Sequence, residues 1–148
     1  MLGGEAGVYT RRKPDTVRGM DAAFISKERH PARPKGYLEV APELIVEVVS
    51  PNDRWKEIQD KLYCGCDEKR SLPRAMTQEA NSVFHTEQRI KEYFAIGVEY
   101  VWLIEPEDRM VFIYSELTEV IRLGDDEILR GEGPLTGFAL PLVELFAE

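Results

Sequence analysis

Glu47 stands inside an apolar run, Leu44-Ile45-Val46-Glu47-Val48-Val49. A carboxylate is costly to bury there unless it is paired, protonated or bound to a cation. Alternation along an extended strand puts it on the same face as Ile45 and Val49. Asp21 opens the preceding apolar stretch, Asp21-Ala22-Ala23-Phe24-Ile25-Ser26, and adjacent strands would set the two carboxylates side by side. Close carboxylates repel, and a hard divalent cation resolves the repulsion, Mg²⁺ first and Mn²⁺ as a substitute. Such an ion can hold a phosphate oxygen and lower the pKa of a water. Lys61 lies on a helical stretch where Arg54, Ile58 and Lys61 share one face. From there it would reach back over the strand end to position the attacking water and balance charge at phosphorus. The plainer reading keeps Glu47 in an ion pair with an arginine such as Arg18, or solvated at a sheet edge, and Lys61 as a surface lysine. The residues alone leave both readings open.

The elements that must position these groups are legible in outline. Val8–Arg12 reads as a strand entering a Pro14-Asp15 turn, and Asp21–Ser26 as the next strand. Glu43–Val49 is the strongest strand signal, a β-branched run bounded by Pro42 and Pro51, and its continuity suggests a central strand covered on both faces. Ser50-Pro51-Asn52-Asp53 then opens a helix whose buried stripe is Trp55, Ile58 and Leu62. Residues 64–86 lose the periodicity. It returns over Glu87–Ile96, with Ile90, Tyr93 and Phe94 on one face and Gly97 as terminator. Val98–Ile104 and Met110–Ser115 flank a turn at 105–108 and predict a hairpin, with weaker strands at Thr118–Leu123 and Glu127–Arg130. Leu140–Phe146 closes the chain with a short apolar segment. This order predicts an α/β (α+β) domain built on a mixed central sheet flanked by helices.

Composition narrows the function classes. A chain of 148 residues with 43% hydrophobic and 31% charged residues is long enough for one domain with its own core. It has no apolar run of membrane-spanning length and no signal-peptide core near its start, so a cytoplasmic protein is expected. The net charge of -8 argues against coating nucleic acid by bulk attraction. Yet residues 1–35 carry eight basic groups against four acidic ones, and that local patch could contact phosphates, with Arg11, Arg12, Lys13 and Arg18 as the candidates. A solvated loop explains the same charges. Cys64-x-Cys66 with His85 lacks the spacing and the fourth ligand of a zinc site, and His30 beside Pro31 reads as a loop residue.

The order Asp21, then Glu47 in a hydrophobic strand, then a lysine on the next helix resembles the PD-(D/E)XK nuclease core. More narrowly, the chain resembles the Uma-two family of bacterial restriction-endonuclease-like proteins. The resemblance is carried by the stretches 18–26 (RGMDAAFIS), 42–54 (PELIVEVVSPNDR), 93–106 (YFAIGVEYVWLIEP) and 137–146 (GFALPLVELF). It implies a restriction-endonuclease-like fold and Mg²⁺-dependent hydrolysis of DNA phosphodiester bonds. Asp21 and Glu47 would hold the metal, and Lys61 would be the lysine moved from strand to helix. Val49 occupies the position where the motif's strand lysine would fall.

Three departures qualify that implication. Met20 replaces the motif proline. Members usually carry a helix and a strand ahead of the stretch matching Gly7-Val8-Tyr9, and this sequence starts beyond them. The helix that would run from the lysine into Tyr93-x-x-x-Gly97-Val98 is split by an insertion at about residues 63–88, so Arg89 falls at a second position matching the lysine, with Lys91 nearby. The alternative function is therefore an inactive, truncated family member that binds nucleic acid or protein. Cutting both strands would call for a homodimer, because one site handles one phosphodiester at a time, and an exposed sheet edge would favour such pairing.

Overall fold

The computed structural model describes residues 2–31, 36–49 and 79–147. Six strands form one sheet in the order of the chain: β1 (Leu2–Arg11), β2 (Thr16–Phe24), β3 (Leu44–Val48), β4 (Tyr100–Glu105), β5 (Met110–Tyr114) and β6 (Val120–Leu123). All neighbours are antiparallel except β3 and β4, which run parallel. A parallel pair needs a long crossover, and the chain between β3 and β4 supplies helix α1 (Glu79–Ala95). A second, two-stranded sheet pairs β7 (Ile128–Arg130) with β8 (Ala139–Pro141), followed by the short helix α2 (Leu142–Leu145).

The alternation of β3 sorts its side chains between two cores. Ile45 packs with Ile90 and Tyr93 of α1 and with Val101, Leu103 and Phe112 of the sheet. Leu44 and Val46 point the other way, into a cluster with Trp102, Val111, Leu129 and Leu142. The sheet is thus covered by α1 on one face and by the C-terminal elements on the other, which is the mixed, helix-flanked sheet the sequence predicts. Being buried on both faces explains why β3 reads as an almost unbroken apolar run. By the same alternation Glu47 emerges on the α1 side.

Several boundaries differ from the sequence reading. Strand β2 begins at Thr16, so Asp21 lies inside a strand rather than at its start. Backbone pairing with β1 extends the strand through Arg18-Gly19, which β-propensity alone does not mark. Helix α1 begins at Glu79, well before Glu87. Ala80, Val83 and Phe84 do fall at helical spacing, but this single apolar turn is separated from Ile90 and Tyr93 by polar residues and is too short by itself to mark a helix start. Gly97 ends α1 as expected: at φ +99° its N–H reaches Phe94 O at 3.0 Å and Val98 N–H reaches Tyr93 O at 3.1 Å, the paired bonds of a Schellman cap. The helix expected after Ser50, with Trp55 and Lys61, lies outside the described residues, as do Cys64 and Cys66 beyond it.

A second carboxylate is buried at the other end of the β3 segment. Glu43 is 4% exposed and accepts hydrogen bonds from Ser26 N–H at 3.0 Å and from the Ser26 hydroxyl, with Arg29 Nε 3.4 Å away. Burial pushes its pKa up, but the Ser26 bonds and the Arg29 charge outweigh it and hold the carboxyl below its usual range. This carboxylate is fully occupied in tying the 26–29 turn to the sheet. Glu43→Ala should lower Tm by about 5 °C, because it takes away the acceptor of the Ser26 N–H and hydroxyl, while Arg29 keeps Ala41 O and Glu99. Thermal unfolding followed by circular dichroism checks this, and divalent-cation binding should be unchanged.

Candidate active site

Strand β2 pairs with β3 through Ala22↔Val46, Ala23↔Ile45 and Phe24↔Leu44. One further step along that register sets Asp21 opposite Glu47, on the same face. Asp21 Oδ2 accepts the Val48 N–H at 2.7 Å, which anchors its carboxylate at the end of β3. Both acids line a cavity of about 920 Å³, together with Arg18, Gly19 and Arg89. The two carboxylates expected to converge therefore share one cavity.

Glu47 is 9% exposed. Its Oε1 accepts one bond from Arg89 Nη2 and one from the Tyr93 hydroxyl, each 2.6 Å long. Arg89 Nη2 also donates to Gly19 O at 2.7 Å, so the guanidinium is pinned between β2 and β3. The residues sit one helical turn apart on α1, which is why they reach the same oxygen. The ion pair anticipated as the plainer alternative thus exists, but with a different partner. Arg18 instead makes a two-pronged contact with Glu92, Nε to Oε2 at 2.6 Å and Nη2 to Oε1 at 2.9 Å. The topology brings α1 over β2, and the arginine on β2 meets the acid on α1 before it can reach β3.

Burial raises the Glu47 pKa, and the nearby negative charge of Asp21 raises it further, while the Tyr93 bond and the Arg89 charge only partly offset this. Tyr93 is likewise pushed well above its ordinary value, by burial first and then by the Glu47 charge. Its phenol stays neutral and donates. Because the folded value of Glu47 exceeds the unfolded one, the folded state binds this proton more tightly. That contribution to stability is complete below the unfolded value and is lost as pH rises through the folded one.

The other sequence candidates fall in three places. Arg18 lines the cavity. Arg11, Arg12 and Lys13 lie at the β1–β2 turn, where Arg12 contacts Asp15 at 3.1 Å and Glu39 at 3.0 Å and covers the Tyr9 ring. They are not among the described residues lining the cavity. Lys61 lies outside the described residues, and among those described the cation beside Glu47 is Arg89. The sequence reading missed Tyr93 as a polar participant: its helical spacing marks it as core, and its ring is core, but spacing does not reveal where a hydroxyl ends.

Among the described residues no group of three or more His, Cys, Asp or Glu side chains is arranged to hold a metal. The donors on this cavity are two carboxylates. That set suits a hard cation of the Mg²⁺ type, which typically takes one or two carboxylates and completes its shell with water and phosphate oxygens.

A family model named Uma2 and described as "Putative restriction endonuclease" matches residues 1–143. No curated protein matches the chain. Among solved structures, a crystal structure of "a putative nuclease belonging to DUF820 from Anabaena variabilis ATCC 29413" resembles it with a TM-score of 0.60 at 16% identity. The match covers 96% of this chain and 64% of that one, so the chain spans under two thirds of its neighbour's length. At that identity the likeness is one of fold, and the fold is nuclease-like. No helix among the described residues is long and apolar enough to cross a membrane.

Proposed function

The chain belongs to the Uma2 family of restriction-endonuclease-like proteins, and from that premise we propose that it is a divalent-cation-dependent endonuclease that hydrolyses DNA phosphodiester bonds at the Asp21–Glu47 cavity. The observation that carries the proposal is the meeting of two strand carboxylates, one of them almost wholly buried, on a single cavity that also holds Arg18 and Arg89.

Asp21 and Glu47 would hold Mg²⁺ or Mn²⁺. When bound, the cation would supply charge stabilisation at phosphorus and a water acidified enough to attack. The remaining work falls to the chain. Val48 N–H fixes the Asp21 carboxylate by its bond to Oδ2. Tyr93, held neutral, donates to Glu47 and orients it. Arg89 stays protonated at every working pH, so it cannot take a proton from water. Its donors suit the phosphate oxygens and the charge that builds on them in the transition state. Lys61, the residue the family resemblance assigns to positioning the water, is a further member of the proposed set.

A non-catalytic nucleic-acid-binding module is the second reading, and one contact favours it. An arginine meets Glu47 where the resemblance expects lysine, and its guanidinium occupies Glu47 Oε1. Nicking of supercoiled plasmid separates the two readings. Nicking by the folded protein that requires Mg²⁺ or Mn²⁺ and stops on chelation is the expected result. DNA binding without nicking at any divalent-cation concentration would give preference to the module.

The acid limb of the activity follows from Glu47. The cation must compete with a proton held more tightly than usual, so activity should fall off at a pH above the ordinary glutamate range. Tyr93→Phe removes a bond that favours the ionised carboxylate and should move that limb to still higher pH, with the rate on the plateau changed much less. A pH–rate profile of the variant that overlays the wild type would contradict the role given to Tyr93.

A further inference from the structure

Tyr37 is 55% exposed, yet it is held in place. The next residue, Leu38, is 1% exposed and bonded in both directions to β1, its N–H to Gly7 O at 2.7 Å and its O from Tyr9 N–H at 3.1 Å. The Tyr37 ring lies against Gly7 so closely that a Cβ on Gly7 would come within 2.9 Å of its Cδ1. It meets the Tyr9 ring edge-on at 5.9 Å, and Tyr9 is itself covered by the Arg12 guanidinium 3.5 Å from its centroid. Single exposed aromatics are ordinary on protein surfaces. This one lines the cavity that holds Asp21 and Glu47, and it is the only aromatic among the described residues that does so.

We infer that Tyr37 is a stacking platform for a nucleobase at the mouth of the carboxylate cavity, and that the DNA it selects has an unpaired base beside the scissile phosphodiester. The inference rests on the endonuclease reading and names the substrate class of that same site. Paired bases in a duplex stack on one another and offer proteins only their edges, whereas unpaired bases can lay a face on an aromatic ring. The charge distribution favours the same choice. The net charge is -8, and the basic residues among the described ones that line the cavity, Arg18 and Arg89, are already engaged by Glu92 and Glu47, so the described lining offers little free cationic surface for tracking two phosphate backbones. Stacking supplies affinity that does not depend on net charge.

The test is fluorescence anisotropy with one labelled oligonucleotide, single-stranded or annealed into a blunt duplex, in Ca²⁺ so that a hard cation is present. The wild type should bind the single strand more tightly than the duplex. Tyr37→Ala should weaken single-strand binding by about tenfold or more, as expected from loss of one stacked base, while Tyr37→Phe stays within about twofold and duplex binding does not change. Circular dichroism confirms that the variants are folded. Unchanged single-strand binding by Tyr37→Ala, or tighter binding of the duplex by the wild type, overturns the inference. If the wild type still nicks plasmid in that case, only the stacking role has failed. Absence of both nicking and binding overturns the endonuclease reading along with it.

Discussion

Glu47→Gln should abolish divalent-cation-dependent nicking, with a loss of at least about 10³-fold, and leave the protein folded. The substitution keeps the shape of the side chain and its capacity to accept from Arg89 and Tyr93, whose donors both converge on Oε1. It removes only the negative charge, and that charge is what a cation between Asp21 and Glu47 needs. A hard cation at a phosphoryl group contributes several kcal/mol of transition-state stabilisation, which corresponds to about three decades in rate. The fold should survive, because the amide oxygen still accepts from both donors and Arg89, 37% exposed, keeps its bond to Gly19 O. Plasmid nicking together with thermal unfolding separates these effects. A variant that nicks as fast as the wild type would remove Glu47 from the site.

Arg89→Ala should cost both activity and stability, and Arg89→Lys should restore much of each. The alanine variant leaves Glu47 buried with Tyr93 and without its cation. Breaking a buried pair typically costs 3–5 kcal/mol, and the 37% exposure of the Arg89 side chain brings the expected loss down to about 2 kcal/mol. Activity should drop about 10²-fold as a phosphate-facing donor is lost. A lysine at 89 keeps the charge and reaches the same carboxylate, so activity should stay within about tenfold of the wild type. Were Arg89 only a structural clamp, alanine and lysine variants would differ in Tm while sharing one nicking rate.

The same residues show what a sequence can disclose. Glu47 stood out because an ionisable residue in a β-branched run is visible along the chain itself. Asp21 followed from strand adjacency, even though its strand proved longer than its apolar stretch. Gly97 was legible because only a left-handed residue closes a helix with that pair of bonds. The partner of Glu47 was not. Arg18 and Arg89 are equally plausible from charge alone, and only the passage of α1 over β2 decides that Arg18 meets Glu92 while Arg89 reaches Glu47. Glu43 also passed unnoticed, since its burial depends on the 26–29 turn folding back over it. Patterning reports which face is buried and says little about which polar atoms meet there.

The most direct test of the account is Mn²⁺ binding followed by electron paramagnetic resonance, with wild type, Asp21→Asn and Glu47→Gln compared at equal concentration. The account expects one Mn²⁺ per chain in the wild type, and affinity reduced at least about tenfold by either substitution, because both carboxylates are needed to hold it. Binding by both folded variants as tight as in the wild type, or no binding by the folded wild type with DNA present, would contradict it.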